Sequence, residues 1–324
     1  MSKKTRKWVD DLAPVPAKPR ANLGIAELNL GGGQTLKAVG LVYGIEHRIS
    51  GEGFEATLFL DIYNQRIKIL DYKVENFRNF ILAVRELSEA NQFDKIICMA
   101  DRADWQQFLR YGYVLEAVLK YYHQGKDAFV VSKFRSQERL NSASMMEEIL
   151  LIESVMNEPS DAERKPLPGG LKIRMAKKED IGQLIDLYKG VFESYPSPLI
   201  HQSYLETIFQ TDSIFAVCVE GDRIVSAASA ELSRPNLAAE LTDCATLPDK
   251  RGQGLMSHIL RFLEKELLSR KYRCSYTMAR ARSFGMNMVF YQLGYEFMGR
   301  MTNNCDIFGA FEDMNIWVKD LAGA

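Results

Sequence analysis

The sequence predicts an α/β protein with a mixed sheet, of the α+β kind, arranged in two halves of nearly equal length. Three observations carry this. Strand and helix patterns alternate along both halves. A polar seam, "NEPSDAERKPLPGG" at 157–170, lies between them, with prolines at 159, 166 and 168 and a closing Gly-Gly. Finally, "FLRYGY" (108–113) and "FYQLGY" (290–295) share Phe, Gly and Tyr at identical offsets, each a short helix downstream of a Met-Ala pair, Met99-Ala100 and Met278-Ala279. Agreement in element order, added to these residues, points to a degenerate duplication.

Taken in order, residues 1–22 carry lysines, prolines and few apolar side chains, the composition of a flexible tail. A first domain then spans 23–156. "NLGGGQTL" (29–36) has three glycines and no helical pattern after it, so a loop is expected. "FEATLFLDIYNQRIKILDYKV" (54–74) reads as a hairpin, 76–92 as a helix, "KIICMA" (95–100) as a strand, 103–111 as a helix, and 113–122 and 127–134 as strands. The linker is 157–170, and a second domain spans 171–324. There "LKIRMA" (171–176) is a strand. Apolar residues at 181, 184, 185, 187, 188 and 191 give a helix over 178–192, and 198–210 continues helical. Two strands flank Glu220-Gly221-Asp222-Arg223, a hairpin turn signal. A strand at 237–247, a helix at 254–270, a strand at 274–279, a helix at 284–292 and two closing strands complete the order β-α-α-β-β-β-α-β-α-β-β.

Composition narrows the function. A net charge of −1 over 324 residues provides no field that would draw the chain to nucleic acid or an anionic membrane. No apolar run approaches the roughly 18 residues of a membrane span, and the charged start leads into no apolar signal region. The five cysteines are widely spaced without a C-x-x-C, and no histidine stands at zinc-ligand spacing from them. Reduced thiols, no metal and a cytoplasmic location are expected.

The stretch that carries chemistry is "LPDKRGQGLM" (247–256). A strand ends, a basic glycine-punctuated turn follows, and a helix begins. A helix N-terminus exposes unpaired N–H groups at the positive end of its dipole, and glycine lets a ligand approach the backbone. Together these suit a pyrophosphate, with Arg251 adding a charged contact. The spacing is neither a Walker loop nor G-x-G-x-x-G. A plain β–α turn would also use these glycines.

In its context, R-x-x-G-x-G/A after a strand resembles the acetyl-CoA signature of the GNAT superfamily of N-acetyltransferases. Arg251, Gly252, Gln253, Gly254, Leu255 and Met256 occupy that pattern, with Met256 departing from the usual Gly or Ala. "FYQLGY" is similar to the superfamily's next signature, an aromatic helix ending in Gly-Tyr. More narrowly, "LTDCATLPDKRGQGL", "YTMARARSFGMNMVFYQLGYEFMG", "TNN" and "MNIWVKDL" resemble the beta-lysine N-acetyltransferase family, strongest over 238–321.

The resemblance implies a C-terminal GNAT fold preceded by a degenerate GNAT-like domain, with acetyl-CoA as co-substrate and a small amine, the side-chain amine of β-lysine, as acceptor. The product would be the compatible solute Nε-acetyl-β-lysine, made in osmoadaptation. A homodimer is admitted. It further implies that strand 238–247 is splayed from 274–279, with the backbone of Ala245, Thr246 and Leu247 meeting the cofactor, and that Asn287 contacts the cofactor or caps locally. Glu240 and Asp243 are both candidate bases. Side chains alternate along a strand, so the two face opposite ways unless a bulge intervenes. Tyr291 is the candidate acid for the departing thiolate. Arg280 and Arg282 suit a carboxylate, and Asn303 and Asn304 border the acceptor. Met256 would crowd the pantetheine. Another amine substrate, or acyl-CoA binding without turnover, are the competing readings. The first half has no glycine in "DYKVENFRNF", so it lacks a second cradle.

Overall fold

A computed structural model describes residues 25–39, 43–160, 166–192, 197–211, 213–307 and 309–323. Its first half runs β1 (Ile25–Gly31), β2 (Gln34–Val39), β3 (Gly44–Gly51), β4 (Phe54–Asp61), β5 (Arg66–Val74), α1 (Phe77–Ala90), β6 (Lys95–Ala100), α2 (Trp105–Arg110), β7 (Val114–His123) and β8 (Lys126–Phe134). Helices α3 (Gln137–Leu140) and α4 (Met145–Met156) follow. The second half is β9 (Leu171–Met175), α5 (Ile181–Val191), α6 (Gln202–Ile208), β10 (Ser213–Glu220), β11 (Arg223–Ser233), β12 (Ala238–Thr246), α7 (Leu255–Ser269), β13 (Cys274–Arg280), α8 (Phe284–Gln292), β14 (Glu296–Ile307) and β15 (Ala310–Asp320).

This is the mixed α/β class expected. One local reading is corrected, and the structure adds other details. Residues 29–36 belong to the hairpin β1–β2 rather than a loop, the glycines forming its turn. Residues 137–156, unassigned from the sequence, are largely helical. On α7, Glu264 is drawn inward to Lys319 Nζ at 3.0 Å. The proposed tail 1–22 and residues 161–165 of the seam lie outside the described residues.

Thirteen strands form one sheet in the order β3-β4-β5-β6-β8-β7-β14-β15-β13-β12-β11-β10-β9. Outward from the middle, β7-β8-β6-β5-β4-β3 and β14-β15-β13-β12-β11-β10 follow the same succession. Each half has one parallel pair, β5–β6 and β12–β13. The aromatic motifs repeat in three dimensions as well. Phe108 and Tyr113 meet edge-on at 5.2 Å and 72°, Phe290 and Tyr295 at 5.1 Å and 79°.

Each half covers one face of its strands with helices. Helix α7 buries Leu255, Met256, Ile259, Leu260, Leu263 and Leu267 at helical spacing, the stripe that holds it on the sheet. Burying each such side chain contributes roughly 1.5–3 kcal/mol. On the uncovered faces the halves pack against one another: Leu119, Tyr122 and Val130 share a core with Ala238, Tyr276, Ile316 and Val318. Tyr122 and Tyr276 touch at 5.7 Å between ring centroids. The strands of the two halves join at Gly299 and Ala117. A side chain at Gly299 would collide with the Ala117 backbone, and its φ of 139° favours glycine.

A polar clasp joins the halves beside this core. Buried Arg66 donates to Asp61 Oδ2 at 2.8 Å and across to the Asn304 carbonyl at 2.8 Å. Asn64 Oδ1 accepts from the Asp306 N–H at 2.9 Å. Lys95 pairs with Glu116 at 2.8 Å and donates to the Thr302 carbonyl at 2.8 Å. The ion pairs fix Arg66 and Lys95 within the first half, and each charged donor then crosses to a carbonyl of the second, a bond worth about 1.5–3 kcal/mol.

Candidate active site

The site begins where two parallel strands part. β12 pairs with β13 only through Ala238–Cys274, Ala239–Ser275 and Glu240–Tyr276. Thr277 Oγ1 donates to the Leu241 carbonyl at 2.7 Å, a last tie. Beyond it the strands diverge, and the edge of β12 from 242 onward has no β13 neighbour.

The turn after β12 is shaped for a ligand's phosphates. Gly252 and Gly254 have φ of 76° and 75°, and the space where a Cβ would stand is open at both. Gly254 is the N-cap of α7 and has no side chain to cap it. The first amides of a fifteen-residue helix therefore face an open cradle. Arg251 is exposed at its rim, Nε donating to the Thr246 carbonyl at 3.4 Å. This fits the pyrophosphate of a CoA thioester.

Three carboxylates gather near the vertex of the opening. Asp243 has φ of 52° at a bulge where Asp243 and Cys244 oppose one residue of β11. That extra residue resets the alternation, and Glu240 and Asp243 share one face. Asp243 Oδ2 accepts from Ser229 Oγ at 2.6 Å. Glu240 stands directly opposite Glu231 on β11. Like charges so placed repel. The Glu240 carboxyl is pushed up to about 8, chiefly by burial, then by Glu231 and Asp243, while Lys68 and Arg66 pull it down. Glu231 stays open to solvent at the mouth of a ≈ 280 Å³ cavity lined also by Tyr204, Ser213, Ser233 and Tyr276. Loss of water around the carboxyl inside the cleft pushes it up, and Lys68 pulls it down. Such a cleft suits a cationic acceptor. Among the described residues no cluster of side chains could hold a metal ion.

The comparisons agree with this geometry. An Acetyltransferase (GNAT) domain model matches residues 172–298. N-acetyltransferase YodP of Bacillus subtilis is 35% identical over 84% of this chain and 98% of its own length. Beta-lysine N(6)-acetyltransferase of Methanosarcina mazei is 32% identical over 76% of this chain and 99% of its own, and that of Methanococcus maripaludis 30% over 79% and 93%. The chain belongs to the GNAT N-acetyltransferases. It is an enzyme that transfers acetyl groups to amines.

Within this GNAT acetyltransferase, the sequence-expected residues divide. Glu240 and Asp243 share a face of β12, and the edge Ala245–Leu247 leads into the turn 251–256. Leu255 and Met256 bury their side chains in the core. Met256 therefore does not crowd the cradle; only backbone amides of these two face it. Asn287 is fully buried: Nδ2 donates to the Arg280 and Ser283 carbonyls, and Oδ1 accepts from Asn315 and Trp317 at 3.0 and 2.8 Å. It is a local clasp, with nothing left for a cofactor. Arg280 forms a two-pronged pair with Glu312, both bonds 2.8 Å. Arg282 lies near the buried Glu148 and offsets part of the rise that burial and Asp313 impose on its carboxyl. Asn303 Nδ2 donates to the carbonyls of Glu138, Arg139 and Asn141 that end α3. Asn304 is buried among Met278 and Cys305 sulfurs. Arg280, Asn303 and Asn304 are thus engaged within the fold, against the acceptor role expected for them, whereas Arg282 only lies near Glu148. Tyr291 Oη donates to the Met156 carbonyl at 3.2 Å, at the end of α4.

Two charged groups beside Glu240 were missed: Glu231 and Lys68. Ser229, Glu231 and Ser233 alternate on β11, a period-two signal that could have marked Glu231. Nothing in sequence spacing relates Lys68, in the other half, to Glu240.

Proposed function

We propose that this enzyme acetylates the side-chain amine of β-lysine, giving Nε-acetyl-β-lysine, by direct attack of the amine on acetyl-CoA. The observation that carries the reading is the carboxylate cluster Glu231, Glu240 and Asp243 at the vertex where β12 and β13 part. Relatives named for β-lysine acetylation, matched over nearly their whole length, support it. β-Lysine carries two ammonium groups and one carboxylate; acetylation leaves a net-neutral zwitterion, the charge state of a compatible solute. An osmoadaptive role in the cytoplasm follows.

Acetyl-CoA supplies the acetyl thioester and a thiolate leaving group. The amides of Gln253, Gly254, Leu255 and Met256, with Arg251, would hold its pyrophosphate, and the Ala245–Leu247 edge its pantetheine arm. An alkyl ammonium has a pKa near ~10.4 and reaches the site protonated. Glu240 Oε takes that proton, because a base whose own value lies near 8 is matched to working pH. Asp243, on the same face, is the alternative base. Tyr291 Oη carries a proton for the departing sulfur, exchanging its bond to the Met156 carbonyl. Tyr291→Phe is expected to lower kcat while acetyl-CoA binding stays unchanged; unaltered turnover removes Tyr291 from the mechanism. The first half, with the same strand succession and no cradle, is a degenerate repeat that walls the acceptor side. Reading the fold as a non-catalytic acyl-CoA sensor loses its support, since Met256 lies in the core.

CoA release by the purified protein with acetyl-CoA and β-lysine, α-lysine or spermidine tests the reading. Turnover fastest on β-lysine is expected. Turnover on spermidine alone would assign another acceptor.

A further inference from the structure

We propose that the first half of the chain supplies the group that selects the acceptor: Lys68 on β5 binds the acceptor's carboxylate, while Glu231 binds the ammonium that is not acetylated. This rests on the diamino-acid reading above.

Strand alternation sets the direction of Lys68. Ile67 and Ile69 are buried in the core under α1. Arg66 and Lys68 project from the opposite face. Arg66 already crosses to the second half there, at the Asn304 carbonyl. The internal repeat gives a second fix. Matching Met99-Ala100 to Met278-Ala279 makes Ile97 the counterpart of Tyr276. Ile97 pairs with Lys68, as Tyr276 pairs with Glu240. Lys68 thus occupies in one half the position of Glu240 in the other, and Ile97 and Tyr276 share the core between the halves.

The chemistry at that place is uncommitted. Among the described residues Lys68 has no ion pair; its Nζ lies 5.9 Å over the Phe59 ring. Its charge acts on both Glu231 and Glu240. Arg280, which the sequence offered for the carboxylate, is occupied by Glu312. Two facing carboxylates beside one lysine mirror an acceptor with two ammonium groups and one carboxylate. In β-lysine the carboxylate and the β-ammonium sit on neighbouring carbons, so one cation and one carboxylate on facing strands can hold both. A polyamine would instead bring positive charge against Lys68.

The test compares β-lysine with 1,4-diaminopentane, the same molecule without its carboxyl, for the wild type, Lys68→Met and Lys68→Arg. Lys68→Met is expected to raise KM for β-lysine roughly ten- to hundredfold, the range for a lost charge-assisted bond. KM for the diamine should stay level or fall, which also shows that the variant folds. Lys68→Arg should restore most of the β-lysine affinity. An equal change for both substrates, or none, overturns the assignment while leaving the β-lysine reading intact. A wild type inactive on β-lysine overturns both.

Discussion

The two halves have the same strand succession, the same parallel pair and the same edge-on Phe–Tyr contact, yet they treat one helix N-terminus in opposite ways. In the second half, α7 begins at a left-handed glycine with no cap, and its amides face open space. In the first half, α1 begins at Asn76, whose Oδ1 accepts from the Asn79 N–H at 3.2 Å. Asn76 fills with its own side chain the place a ligand would take. The region beyond the parallel pair is filled too. Tyr72 packs on Phe80 and Phe108 at 5.9 and 5.7 Å, and its hydroxyl accepts from the Asp101 N–H at 3.1 Å. The topology is common to both halves, and the open, uncapped helix start belongs to the second alone.

The largest effect expected is chemical. Glu240→Gln should lower kcat/KM by about 10²–10⁴ and remove the inflection near pH 8 from the rate profile. The equivalent position in the first half, Lys68, should change KM and leave kcat nearly alone. If Asp243→Asn removes the inflection and Glu240→Gln does not, the base is Asp243.

Next is a core test of equivalence. Phe290→Ala and Phe108→Ala should each destabilise the protein by about 3–5 kcal/mol in urea unfolding. A cost under about 1 kcal/mol at Phe108 would break the structural parallel between the halves.

A third test sharpens the contrast at the helix starts. Gly254→Val forces a β-branched residue into left-handed backbone, a strain of roughly 1–2 kcal/mol, and fills the cradle. Acetyl-CoA titration calorimetry should show affinity falling about tenfold or more. Asn76→Gly should cost only a few tenths of a kcal/mol and leave that affinity unchanged.

The smallest effect concerns the junction. Glu148 on α4 is buried beside Asp313, with Arg300 3.5 Å away. Burial, then Asp313, pushes its carboxyl up to about 8, against Arg300 and Arg282. Between about 4.5 and 8 the native state therefore holds a proton that the unfolded chain has lost, and stability falls as pH rises through that window. Glu148→Gln should flatten the loss of Tm between pH 5 and 9; an unchanged slope would show that Glu148 does not titrate there.

The chain's local order was legible because it depends on neighbours in sequence. Period-two and period-3.6 patterns located the strands and helices, glycines marked the cradle at 252 and 254, and two hexapeptides exposed the repeat. The hairpin β1–β2 was read as a loop because Gly31, Gly32 and Gly33 mask a short strand pair. Residues 280 and 303 were assigned to a substrate because sequence shows residue type without showing its partner: Arg280 has Glu312, and Asn303 has the end of α3. Only the tertiary structure decided that Glu231 faces Glu240, that a bulge turns Asp243 onto the same side, and that Lys68 comes to them from the other half. Those relations depend on strand register and on how one curled sheet closes its two uncovered faces. Both are decided by burial of the shared core around Tyr122 and Tyr276, between residues more than a hundred positions apart.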